Sequence, residues 1–363
     1  MKAYKVPMSY NEIDAAGLHA VLDRYKGVSH QKIIVDFEKK LKSLSDAKHA
    51  VALNSGTAAL HLALKLLNTG PGDLVLVSTF TYVASVSPIL YCGAEPVFID
   101  SERETWNMDP QLLEDALKDL ESLNKRPKAI IVVHAYGMPA KMMEIMAIAE
   151  KWGVPVIEDA AEAFGATINN QWAGTFGQMG IYSFNNNKSV TTFGGGALIT
   201  KNHEWAEKAR KWAAHARENK PYYEHIELGY NYAMSPLSAA YGLMEADAWK
   251  TKIEARRELF SNYRVSLSDH VTSQNELQGA KSSRWLSTFR LKNKQNITQL
   301  IDNQEFEIRK VWNPMHRQGV FREAKSWLNG TSDDLFESAV CLPSGEINSK
   351  DFQQMCAWLQ NML

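Results

Sequence analysis

The chain has 363 residues, with 40 Lys plus Arg against 41 Asp plus Glu and 45% hydrophobic residues, the composition of a globular protein with a large core. A formal net charge of -1 carries no basic excess, which argues against the nucleic-acid backbone or an anionic membrane surface as a partner. Cys92, Cys341 and Cys356 are too few and too scattered for a disulfide framework or a thiolate zinc site, so no metal is expected.

The opening MKAYKVPMSYNEID has no secretory pattern, and no run reaches the roughly 18 apolar residues of a membrane helix; the expectation is a cytoplasmic protein. Between about residues 50 and 200, short β-branched runs alternate with helix-length segments: LVLV at 74–77, PVFID at 96–100, AIIVV at 129–133, VPVIED at 154–159, GIYSF at 180–184 and ALIT at 197–200. This alternation predicts an α/β fold with a mostly parallel sheet covered on both faces. Ala59, Leu60, Ala63, Leu64 and Leu67 recur at helical spacing until Gly70-Pro71-Gly72, and residues 138–152 read as a second helix ending at Gly153. Beyond residue 202 the pattern turns helical, in WAEKARKWAAHARE and SPLSAAYGLMEADAWKTKIEARREL. Residues 1–249 are expected to form an N-terminal arm and a large domain. Residues 250–363 should form a smaller α+β domain, with strands in RWLSTFRL and FEIRKVW and a closing helix at 350–362.

In open α/β sheets ligands sit at the carboxyl ends of the strands, and three features lie there. Asn54-Ser55-Gly56-Thr57 precedes the first amphipathic helix, where free amides suit a phosphate, although Asn54 or Ser55 alone reads equally well as an N-cap. Glu158 and Asp159 end VPVIED, where a carboxylate can fix a cationic ring nitrogen or simply cap a helix. Lys188 follows GIYSF within a loop of Asn and Gly residues; an amine held at the sheet edge can form a Schiff base with a carbonyl. A phosphate, a basic ring nitrogen and an aldehyde together describe pyridoxal phosphate. No G-x-G-x-x-G, G-x-x-x-x-G-K-[ST], H-E-x-x-H or G-x-S-x-G motif competes.

NSGTAALHLAL, TFTYVASVSPILYCGAEPVFID, VVHAYGMPAKM, IEDAAEAFGA, SFNNNK with GGGALIT, GYNYAMSPLSAAYG, NPMH and CLPSG run in one order from about residue 30 to 345. In them the chain resembles the nucleotide-sugar aminotransferases of the DegT/DnrJ/EryC1/StrS family. The resemblance implies the type I, aspartate-aminotransferase-like fold of pyridoxal phosphate-dependent transferases. It implies that Lys188 bonds the cofactor's aldehyde and Asp159 pairs with its ring nitrogen, that Tyr82 stacks on the ring, and that Gly56, Thr57 and Ser183 hold the phosphate. Glu162 stands where the family contacts the 3-hydroxyl, and Asn231 where it reaches the phosphate of the neighbouring subunit's cofactor, so a homodimer with shared sites is expected. The implied donor is L-glutamate, leaving as 2-oxoglutarate, and the acceptor is a nucleotide-linked keto-sugar.

Within the family, SFN-x-NK, the Glu of EDAAE and W-x-PMH look most like enzymes that aminate C4 of UDP-linked 4-keto-6-deoxy-N-acetylhexosamines, which places Asn187 and His316 near substrate. A dTDP- or GDP-linked keto-sugar and a cyclitol-type ketone are the alternatives. A non-catalytic binding protein would instead carry a damaged Lys, Asp or phosphate loop, and this chain has none. Two departures stand out: Ala233 where the family commonly has Arg after GYNY, and Asn186 where close relatives often have Gly.

Overall fold

The computed structural model describes residues 4–295, 297–303 and 305–363. Its centre is an eight-stranded sheet in the order His49–Leu53, Gly196–Thr200, Met179–Ser183, Val156–Asp159, Ala129–Val133, Leu74–Ser78, Glu95–Ile99, Lys325–Trp327. From Met179–Ser183 to Lys325–Trp327 every pairing is parallel, and Gly196–Thr200 and His49–Leu53 close the other edge antiparallel. The inner parallel strands are buried along nearly their whole length, the expected state of a sheet with helices on both faces, whereas the edge strand Lys325–Trp327 is largely exposed. One face packs on helices Gly56–Leu66 and His203–Ala213, and the other on Pro110–Ser122 and Met142–Trp152. Among the described residues no helix is long and apolar enough to cross a membrane.

The six strands expected from β-branched runs form within two residues of their expected ends. The helix expected from residue 138 begins at Met142. The backbone first makes a tight turn at Ala135–Gly137, with Tyr136 at φ 56 and Gly137 at φ 89, and Pro139 then holds its predecessor out of the helical region. FEIRKVW yields only the two-residue strand Arg309–Lys310, in a four-stranded antiparallel sheet with Val271–Thr272, Ser287–Leu291 and Ala339–Leu342.

Helix Pro236–Ser266 runs unbroken through residue 250. Ala239 and Ala240 pack with Phe164 and Phe184 in the core of the large sheet. Phe260 and Tyr263, farther along, pack with Phe289, Val340 and the closing helix Ser349–Met362. A single rod therefore carries the C-terminal sheet against the edge where the strands end.

Candidate active site

Asp159 and Glu158 end the same strand, and the alternation of side chains along a strand sends them to opposite faces. Glu158 is fully buried and accepts from the amides of Gly174 at 2.8 Å and of Phe176 and Gly177 at 2.6 Å each. His134 adds a fourth donor. The amide of Ala140 donates to its Nδ1, so the ring proton sits on Nε2, 3.0 Å from Glu158 Oε2. Glu158 is thus saturated and pins loop 173–177 to the sheet. Asp159, also buried, accepts only from Ser85 Oγ at 2.7 Å and from the amide of Ala161 at 3.1 Å. It has no cationic partner among the described residues.

The chain around Lys188 is fastened through its own carbonyls. Asn11 Nδ2 donates to the carbonyls of Asn186 and Lys188, and Ser9 Oγ and Trp285 Nε1 donate to that of Asn187. Lys188 Nζ, thereby fixed in direction, donates to Glu162 Oε1 at 3.1 Å and lies 3.9 Å from the centroid of the Trp285 ring. Glu162 Oε2 accepts from the amide of Tyr136 at 2.9 Å. Burial pushes the Glu162 carboxyl up to about 7, against the opposing pull of the Lys188 ammonium.

Ser55 caps helix Gly56–Leu66, its Oγ accepting from the amide of Ala58 at 3.1 Å. The amides of Gly56 and Thr57 donate to no protein acceptor among the described residues, the usual state of a first helical turn. Ser183, ending its strand, faces this turn: a Cβ on Gly56 would lie 3.2 Å from Ser183 Cβ. A Cβ on Gly196 would lie 2.4 Å from the Gly56 amide nitrogen, so only glycine lets the neighbouring strand approach the helix start this closely. The result is a small cradle of two amides and a hydroxyl at the positive end of a helix, suited to a phosphate.

The other expected residues surround this centre unequally. Tyr82 is 59% exposed on the loop after Leu74–Ser78, leaving its ring free to cover a ligand. Asn231 is exposed beside the cradle, and its carbonyl accepts from Asn54 Nδ2 at 3.0 Å. Ala233 is also exposed and pairs with Leu53. Asn187 Oδ1 is a buried acceptor with no donor among the described residues. Both ring nitrogens of His316 are engaged, Nδ1 with Thr79 Oγ1 at 2.8 Å and Nε2 with Asp333 at 3.3 Å, so it ties the C-terminal region to the loop that carries Tyr82. Sequence reasoning did not find Ser85, Tyr136, Trp285, Ser9 or Asn11. Only Tyr136 and Ser85 lay in stretches that marked a site at all.

The set fits pyridoxal phosphate. It offers a buried carboxylate lacking a cation for a protonated ring nitrogen, unspent amides for a phosphate, and a partly buried amine for an aldehyde.

The model of the DegT/DnrJ/EryC1/StrS aminotransferase family matches residues 11–360. EpsN of Bacillus subtilis (strain 168), assigned as a pyridoxal phosphate-dependent aminotransferase, is 42% identical over 330 residues, covering 88% of this chain and 85% of its own. GDP-perosamine synthase of Escherichia coli O157:H7 is 32% identical over 315 residues, 86% of this chain and 84% of its own. The crystal structure of a DegT DnrJ EryC1 StrS aminotransferase from Brucella abortus superposes with a TM-score of 0.89 at 27% identity, covering 95% of both chains.

Proposed function

Because the chain belongs to the DegT/DnrJ/EryC1/StrS aminotransferase family and is a pyridoxal phosphate-dependent transaminase, we propose that it moves an amino group from L-glutamate to C4 of a UDP-linked 4-keto-6-deoxy-N-acetylhexosamine in the cytoplasm, for a bacterial surface glycan. The observation that carries the transaminase chemistry is the partly buried amine of Lys188, held 3.1 Å from Glu162 at the edge where Asp159 and the Gly56 cradle also end. Bound there, pyridoxal phosphate supplies an electron sink for a broken carbon–hydrogen bond and carries the amino group between the two substrates.

Each protein group has a defined task in this reading. Asp159, supported by Ser85, holds positive charge on the ring nitrogen, because a buried carboxylate strongly favours a cationic partner. The amides of Gly56 and Thr57 with Ser183 Oγ anchor the phosphate. Tyr82 covers one face of the ring, and Glu162 accepts from the ring hydroxyl or from Lys188. Lys188, when free, would take the proton from the substrate carbon and return it, acting as the general base and acid of the site. Asn187 Oδ1, buried and unpaired, accepts from a substrate hydroxyl or amide. His316 fixes the loop bearing Tyr82 and so shapes the substrate side. Residues 1–249 carry most of this machinery and residues 250–363 close over it.

Two copies complete the site in this account. Between helices His203–Ala213 and Pro236–Ser266, Tyr222, Tyr223, Ile226 and Leu228 expose apolar side chains, and Asn231 at the end of that segment reaches the partner's phosphate. The 4-keto assignment rests on the resemblance carried by SFNNNK and WNPMH. The perosamine synthase relationship favours a second reading, a GDP-linked keto-sugar. Mass spectrometry of UDP-, GDP- and dTDP-linked 4-keto and 3-keto sugars incubated with protein and L-glutamate decides between them. The 4-keto UDP assignment fails if another member of the panel is aminated faster.

A further inference from the structure

Trp285 lies far in sequence from every other group at the site. It precedes the strand Ser287–Leu291 of the C-terminal sheet, yet its ring face covers Lys188 Nζ at 3.9 Å while its indole N–H holds the carbonyl of Asn187 at 2.8 Å. The ring is buried and lies nearly parallel to Tyr136, at 8° with centroids 6.1 Å apart. Tyr136 in turn stacks on Trp312 at 4.1 Å. Arg256, also buried, fixes the main chain there. Its guanidinium donates to the carbonyl of Trp285 at 2.6 Å, to that of Ser344 at 2.8 Å and to Ser9 Oγ at 3.1 Å, and Ser9 in turn grips the Asn187 carbonyl. The indole therefore has little freedom to leave the amine.

From this arrangement we propose that Trp285 is a positioning residue that gives the free Lys188 ammonium a resting place between its ring face and the Glu162 carboxylate. The proposal rests on the transaminase reading, in which Lys188 would be freed by the amino donor in the first half of the cycle and would stay free until the aminated product leaves at the end of the second. A desolvated aromatic face attracts an ammonium and not a neutral amine. The pair of Trp285 and Glu162 thus steadies the freed lysine in one direction whenever it carries the proton that it moves in the reaction. The charged groups facing the amine are Glu162 directly and Asp159 through its field on Glu162; the ring is what the C-terminal sheet adds.

The test uses the full chain freed of cofactor by dialysis and labelled with cyanate, which reacts with neutral amines, with Lys188 followed by peptide mass spectrometry. Trp285→Leu removes the π face; Trp285→Phe keeps a weaker one but loses the indole bond to Asn187. The expected result is that Lys188 labels about 2- to 30-fold faster in Trp285→Leu than in wild type, the range a cation–π contact spans, with Trp285→Phe in between and surface lysines unchanged. Equal labelling in wild type and Trp285→Leu overturns the proposal. Equal acceleration in Phe and Leu also overturns it, because the lost loop tether alone would then explain the effect. Should Trp285→Leu lack the wild-type thermal transition, Trp285→Met replaces it under the same two criteria. Added pyridoxal phosphate separates the two failures. Wild type that gains no visible absorption band sinks the transaminase reading, whereas a normal band with a flat labelling order sinks only the role of Trp285.

Discussion

Lys188, Asp159 and Glu162 lie at the ends of strands that the chain brings side by side, and each has a testable share of the chemistry. Lys188→Ala is expected to abolish amine transfer while the thermal unfolding transition persists; a transaminase assay at wild-type rate would refute its role. Asp159→Asn removes the charge facing the ring nitrogen and should lower turnover about 10²–10³-fold, the usual effect of deleting one preorganised electrostatic contact, with cofactor absorbance retained. Glu162 makes a pH-dependent prediction. Its carboxyl is raised from the ordinary 4.5 to about 7 in the fold, so its favourable contribution is fully present below the ordinary value and is lost as pH rises through 7. Glu162→Gln does not titrate. The unfolding free energy of its cofactor-free form relative to wild type should therefore rise between about pH 4.5 and 7 and then level off, by an amount on the order of 1–3 kcal/mol, with Tm moving in the same direction. A difference in Tm that is flat with pH would show that burial does not control this carboxyl.

At the scale of elements, the six strands with β-branched cores were readable because strands buried on both faces, whether parallel or, like Gly196–Thr200, antiparallel, become continuous apolar runs. His49–Leu53 was not, since HAVAL is short and alanine-rich, and Lys325–Trp327 was not, since three largely exposed residues carry no periodicity. Lys188 and Asp159 could be read because each stands in a distinctive local stretch at a strand end. Trp285, Ser9 and Asn11 could not, because their importance lies in contacts with residues 98 to 178 positions away, with no local signal in KSSRWL or MSYN. Glu158 is a related case: next to Asp159 in sequence, it differs in role only through the face it occupies. Glu158→Ala would leave three buried amides and the His134 ring without an acceptor, and unmet buried donors each cost about 1–3 kcal/mol. The variant should lose more than about 3 kcal/mol of stability, measured by denaturant unfolding, with loop 173–177 gaining hydrogen exchange first. A stable variant would contradict the anchoring role.

For the whole molecule, a nearly neutral chain holds anionic ligands with a few placed donors, and this is why the cradle at Gly56 and the exposed Asn231 beside it matter. Under the proposed reading, Ala233 withholds a cation that the resemblance places near the subunit boundary, so a substrate diphosphate there would be held by neutral donors. If two copies share sites, mixed dimers of Lys188→Ala and Asn231→Asp contain one site with both lesions and one with neither. Subunit exchange should then restore activity above either parent in a transaminase assay, and mixing without recovery would place Asn231 outside the partner's site. The central claim is most directly tested with L-glutamate carrying a heavy nitrogen label, a UDP-linked 4-keto-6-deoxy-N-acetylhexosamine, and mass spectrometry of the sugar product. The account predicts labelled nitrogen on the sugar with wild-type protein and none with Lys188→Ala. Unlabelled ketone from wild type, or labelled amine from Lys188→Ala, would contradict it.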